Sequence, residues 1–223
     1  MATMAVQCMN YIVTKLLRDL LDDLLYQNAP LTTMFRKLKV VSALLEHERL
    51  EEWLSKELGG YDESDTLPEY RLFSVSSQAF YDDESASSEA PALRTCDLPE
   101  ELGTYGGTAE IYSSIGVIEV LVDEDAKELR LPWSEDRTLQ FTELCNSGHP
   151  VVEIWKYVSH AHYASLITTL KNRLLDALIT IINIYPEVFE HDEMLSAEKR
   201  LKIGKILYAT MCCSPVEDEN GGN

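Results

Sequence analysis

The first residues whose types suggest chemistry are Glu119, Asp123, Glu124 and Lys127. A metal-dependent nuclease uses such side chains, with acids holding a divalent ion and a lysine orienting water. Their spacing and order fit that arrangement poorly, and solvated charge is the simpler reading. Cys145 and His149 are a nucleophile and a base by type, but no recognisable catalytic context surrounds them. A buried thiol and a loop histidine account for the pair. His160 and His162 stand two apart at an expected helix start and point in different directions, while His47, His149 and His191 are isolated. No metal-ligand spacing follows from them. Gly59-Gly60, Gly103 and Gly106-Gly107 lack both a following Gly-Lys-Ser/Thr and the GxGxxG spacing, so they read as turns and not as a phosphate cradle. Arg173 lies inside an apolar helix pattern, where it can pair with Asp176 three residues on or reach a buried carboxylate such as Glu57. Cross-bracing of the fold is preferred to substrate binding for it. No cofactor or metal is implied, and an interaction protein is expected more than an enzyme.

Composition narrows the partners. Nineteen basic against thirty-eight acidic side chains give a net charge of −19, which repels nucleic-acid phosphate and anionic membrane over most of the surface. Arg36, Lys37 and Lys39 form the one dense basic cluster and read as a solvated helix face. With 223 residues and 45% hydrophobic content the chain can build a real core. Cys8, Cys96, Cys145, Cys212 and Cys213 form no regular framework and read as reduced thiols. The start of the chain lacks the basic and apolar regions of a signal peptide, and no apolar run reaches the roughly 18 to 20 residues of a membrane span. A soluble, cytoplasmic protein is expected, with a protein partner or homo-oligomer, no direct nucleic-acid binding and no membrane.

The elements that would position these residues follow from periodicity. Paired apolar positions from Ile12-Val13 to Leu24-Leu25 predict a helix over 11–27 with one buried stripe. Pro30 separates it from a second helix, capped by Thr32 or Thr33 and running to about Glu46. A third spans 48–58, and Gly59-Gly60 supplies a left-handed cap. Tyr61 can fold back on the last turn, an exposed acidic crossing follows at 62–65, and Pro68 sets Tyr70 and Arg71 at a strand start. Residues 71–80 suit an edge strand, 81–91 a loop by composition, and 93–98 a short strand. Over 108–122 helix and strand periods compete, and helix is preferred. Residues 129–133 and 151–158 read as extended, Ser159 as the cap of a long helix ended or kinked by Pro186, and 196 onwards as a last helix before an acidic tail at 214–223.

Glu57-Leu58-Gly59-Gly60-Tyr61, followed by Leu67-Pro68-Glu69-Tyr70-Arg71, resembles the KEL-x-GY…LP-x-YR signature of the AbiTii-type abortive-infection domain. The segment from Leu38 to Trp53 is similar to that family's helical approach to its Trp. Leu98-Pro99, Ile115 to Leu121 and Leu170 to Asp176 are similar to its later landmarks. The resemblance covers about residues 10–185. It departs at Leu170-Lys171, where the family often has a valine before Arg-Asn, and at Ile181-Ile182-Asn183, where an acidic pattern is usual. It implies phage defence in bacteria and brings no catalytic residues with it.

The expected fold is α+β, mainly α. It has an N-terminal three-helix unit, central short strands and loops, and long C-terminal helices packing back. The expected domain spans 1–185, with a helical unit at about 10–60, a mixed region at about 61–158 and a long helix at about 159–185; 186–223 supplies a further helix and the acidic tail. Trp53, Glu57, Tyr61, Tyr70, Arg71, Arg173 and Asp176 are expected to brace the motif region or line its surface. The functional expectation is antiphage defence through protein contacts, as effector or regulator. The rivals are a metal-dependent nuclease toxin and an acidic mimic of nucleic acid.

Overall fold

The computed structural model describes residues 2–27, 29–81, 92–93, 98–123, 128–145, 151–190 and 195–212. Residues 82–91 of the loop expected at 81–91, most of the 93–98 strand, Glu124, Lys127, His149, His191, Cys96, Cys213 and the acidic tail lie outside these residues, and the side chains of Cys8 and Cys145 are likewise not described. Among the described residues the chain is mainly helical, with short antiparallel strands, as the apolar periodicity predicts. No described helix is long and apolar enough to cross a membrane. The chain divides into two units, one of Met1–Pro68, Tyr112–Val120 and Ser165–Asn223, the other of Glu69–Ile111 and Leu121–Ala164.

In the first unit α1 (Ala2–Asp22), α2 (Leu31–Leu44) and α3 (Glu48–Gly59) pack in sequence. Val13, Leu17 and Leu20 of α1 are completely buried. The expected stripe stops there, because the chain widens into a π-helical turn, Asp23–Gln27, which moves the phase of every later side chain. Leu25 and Tyr26 therefore face outward, and the buried side chain of the turn is Asp23. Lys37 of α2 meets it at 2.7 Å, so one member of the expected solvated basic cluster neutralises a buried acid.

The start of α2 corrects a second expectation. Pro30 stands at the cap and its side chain has nothing to offer the open N–H groups. Glu119 supplies the acceptors from far along the chain: its carboxylate takes the Leu31 N–H and the Thr32 N–H and hydroxyl. Neither Thr32 nor Thr33 is the cap.

At α3 the His47 Nδ1 accepts the Leu50 N–H at 3.2 Å. The C-terminal helices return as expected. Helix α9 (Ala197–Cys212) packs on α3, and the short α8 (Glu187–Glu190) lies against α1. Gly204 lets α9 approach, because a Cβ there would stand 2.8 Å from the His47 ring. Ser196 caps α9 by accepting the Lys199 N–H, and Pro186 separates α7 (His160–Ile184) from α8.

The second unit holds a four-stranded antiparallel sheet in the order β3-β2-β6-β5: β2 is Ser76–Tyr81, β3 Ala92–Leu93, β5 Glu128–Pro132 and β6 Val151–Ser159. A separate pair joins β1 (Leu72–Ser74) to β4 (Thr108–Glu110). The single edge strand expected at 71–80 is thus two strands broken at Val75, whose N–H turns to Gly107, and β2 lies inside its sheet. The helix expected over 108–122 is strand β4 followed by helix α5 (Ile115–Asp123): helix wins over the β-branched run 117–122, and the strand lies ahead of it at Thr108–Glu110.

Helices α4 (Glu100–Gly107) and α6 (Glu135–Cys145) had no distinct sequence signal. They cover a core of Ala79, Leu98, Leu102, Trp133, Phe141 and Ile154. Trp133 donates its indole N–H to the Ser77 hydroxyl, which donates to the Gly106 carbonyl at 2.7 Å. Gly106 is no turn residue. It lies within α4, where a Cβ would stand 2.5 Å from the Trp133 ring.

Candidate functional site

On α3, Arg49, Trp53 and Lys56 follow at helical spacing and lie along one side. The motif turn begins at Gly60, whose φ of 99° is open to glycine but strained for other residues, and where a Cβ would stand 3.2 Å from the Tyr112 carbonyl oxygen, close enough that the neighbour must give way. The helix runs on through Gly59, so of the two glycines Gly60 is the one with positive φ. The next N–H, that of Tyr61, donates to the same Tyr112 carbonyl at 2.8 Å. Tyr61 then folds back and donates its hydroxyl to the fully buried Glu57 carboxylate at 2.7 Å.

The acidic crossing is ordered by one of its own members. Asp65 accepts from Lys56 Nζ at 2.8 Å and from the Asp62 N–H at 2.9 Å, so it is half-buried and tied down, not simply exposed. Its bond from Lys56 and the backbone bond hold the Asp65 carboxyl below its ordinary pKa, while the Asp65 bond raises that of Lys56. Glu52 adds a longer contact to Lys56 at 3.9 Å.

These contacts shape an open groove of about 300 Å³ lined by Arg49, Glu52, Trp53, Lys56, Tyr61, Thr66, Pro68, Tyr208 and Cys212. Its floor includes Trp53, 7% exposed and tilted against Phe35 at 5.4 Å. Tyr208 arrives from α9 with its ring 5.5 Å from that of His47. Arg49 is exposed at the rim. The groove offers aromatic faces, a guanidinium and an ammonium, which suit recognition of another molecule's side chains.

Of the seven motif residues, Trp53 and Tyr61 line this groove and Glu57 supports Tyr61 from below. Arg173 of α7 donates to the Met211 carbonyl of α9 at 3.0 Å, a link across the C-terminal helices, and Asp176 is exposed. Tyr70 and Arg71 belong to the other unit, in a 3-10 turn of Glu69–Arg71. Arg71 is completely buried there; its guanidinium donates to the Ile111 carbonyl at 2.8 Å while its own carbonyl accepts the Ile111 N–H at 3.0 Å. Sequence reasoning missed Arg49 and Tyr208. The spacing of Arg49 to Trp53 and Lys56 was available as a signal, whereas Tyr208 and Cys212 join the groove only through the packing of α9 on α3.

The other chemical candidates have separate structural roles. Glu119 caps α2. His160 Nε2 meets the Val122 carbonyl at 2.7 Å, and His162 Nδ1 accepts the Ser159 N–H at 3.1 Å, so the two rings do point apart. The latter bond, with the Ser159 hydroxyl also 3.1 Å from the ring nitrogen, forms the start of α7. Among the described residues no three His, Cys, Asp or Glu side chains are grouped as a metal would need.

The fold is that of a mainly helical α+β protein, and two of its motif residues, Trp53 and Tyr61, line an open groove. The AbiTii family model matches residues 15–203, well over half of the chain. The chain belongs to the AbiTii family, an abortive-infection domain. No curated protein and no solved structure matches it.

Proposed function

We propose that this is a bacterial antiphage protein that acts in the cytoplasm through protein–protein contacts, as effector or regulator of abortive infection. The observation that carries the reading is the groove shared by family-motif residues Trp53, Tyr61 and Pro68 with Arg49 and Tyr208. Trp, Tyr and Arg are the side chains that dominate binding energy at protein interfaces. Glu57 and Arg173 support this surface or its surroundings as buried or half-buried braces, and Arg71 braces the other unit.

The test is phage plating on cells that express the protein or its Arg49→Glu variant. Arg49 is exposed, so the variant keeps its melting temperature, and phage protection falls by at least about tenfold. Full protection with Arg49→Glu would remove the groove from the mechanism. Degradation of DNA or RNA by the purified protein with Mg²⁺ or Mn²⁺ would replace the reading with an enzymatic one.

A further inference from the structure

A second groove, of about 450 Å³, lies wholly within the helical unit, between the start of α2 and helix α5. Leu58 at the end of α3 and Val117 and Val120 of α5 form its apolar lining, and the two valines are open to solvent, at 50% and 53% exposure. Three positions apart, they share one side of α5. Arg36 is the one charged side chain among the described lining residues. Its neighbour Lys37 is committed to Asp23, whereas no hydrogen bond or ion pair to a described residue holds the exposed Arg36. One turn further along α2, Val40 is also exposed, and the Lys39 ammonium lies 3.0 Å from the Ser55 hydroxyl of α3. Glu119, between the two valines in sequence, has its carboxylate engaged by the Leu31 N–H and the Thr32 hydroxyl, where the helix start offsets its charge.

We propose that this groove receives an amphipathic helix of a partner protein, one whose apolar stripe is flanked by carboxylates. The walls are helix flanks whose backbone bonds are already made, so the occupant binds through side chains at helical spacing. Its apolar residues pack on Leu58, Val117 and Val120, and its acids meet Arg36 and, one turn along α2, Lys39. Charge complementarity selects this occupant. In a chain of net charge −19 the groove joins exposed apolar side chains to the densest run of cations, so an acidic partner is turned away elsewhere and admitted here. Nucleic acid fits less well, because its phosphates would meet one guanidinium and an apolar wall. The lining residues are separate from those of the motif groove, so either proposal can fail without the other.

The probe is a fluorescent, end-capped helical peptide with leucines at i, i+3, i+4 and i+7 and glutamates on the flanks, titrated with the whole chain by anisotropy. Because the rest of the surface repels such a peptide, saturable binding reports this groove. Binding that weakens with salt is expected, along with at least about tenfold weaker binding to Arg36→Glu and to Val117→Asp. Both positions are exposed, and an acid in the first turn of α5 suits that helix start, so both variants keep the wild-type melting temperature. Absence of binding, unchanged affinity in either variant, or equal binding of a peptide of the same composition with its leucines spread over all faces would overturn the proposal. So would a concentration-dependent dimer abolished by Arg36→Glu, which assigns the face to a second copy, or binding to phosphatidylserine vesicles lost in that variant, which assigns it to a lipid surface.

Discussion

Removing Glu119 tests how the first unit is assembled. Its carboxylate accepts the Leu31 N–H, the Thr32 N–H at 3.3 Å and the Thr32 hydroxyl, at a helix start whose own cap residue is Pro30. Loss of a helix cap costs about 0.5–2 kcal/mol, and loss of a negative charge at a helix N-terminus about 0.3–1 kcal/mol. Glu119→Ala should therefore destabilise the protein by about 1–3 kcal/mol, and Glu119→Gln, which keeps one acceptor but loses the charge, by about half as much. For a chain of this size each kcal/mol lowers the melting temperature by about 2–4 °C, so the alanine variant should melt about 2–12 °C below the wild type. Calorimetry reads the shift directly, with urea unfolding as a second measure. An alanine variant that melts within about a degree of the wild type would refute the cap assignment. A glutamine variant as damaging as alanine would show that charge, and not the acceptor geometry, dominates.

Three further outcomes follow from the geometry. Gly106→Ala brings a methyl to 2.5 Å from the Trp133 ring; overpacking of about 1–3 kcal/mol should outweigh the roughly 1 kcal/mol gained in helix propensity, giving a lower denaturation midpoint. Arg71→Ala leaves the Ile111 carbonyl without its guanidinium donor and empties a fully buried volume, so a loss of about 2–4 kcal/mol is expected in urea unfolding, and an unchanged midpoint would deny its bracing role. For the Lys56–Asp65 pair, the lowered Asp65 pKa means a contribution to stability that is present above its ordinary 3.8 and lost as pH falls through the lower folded value. The raised Lys56 pKa gives a contribution present below 10.5 and lost as pH rises through the higher folded value. An NMR titration should show the Asp65 carboxyl moving up toward its ordinary value in Lys56→Met.

The helical class, the three N-terminal helices and the glycine-terminated motif were legible in the sequence because their signals are local. Apolar spacing at Leu50, Trp53 and Leu54 specifies which side of α3 is buried whatever packs against it. The phase shift after Asp22 was not legible, because it depends on burying Asp23 against Lys37. Nor was the role of Glu119, since an acid in α5 carries no mark of the helix start that it caps. Helix α6 was missed for a related reason: among its described side chains Phe141 is the one that is buried, with exposed neighbours such as Leu139, so its periodicity is weak.

For function the division is similar. The residues from Glu57 to Arg71 were sufficient to suggest the AbiTii family, because turn glycines, Pro68 and the aromatics keep their order in the chain. Only the tertiary structure put Tyr208 beside that motif on one groove wall and buried Arg71 against the Ile111 carbonyl. Local backbone preference and periodicity are written residue by residue, whereas a surface is made by whichever distant elements come to share it.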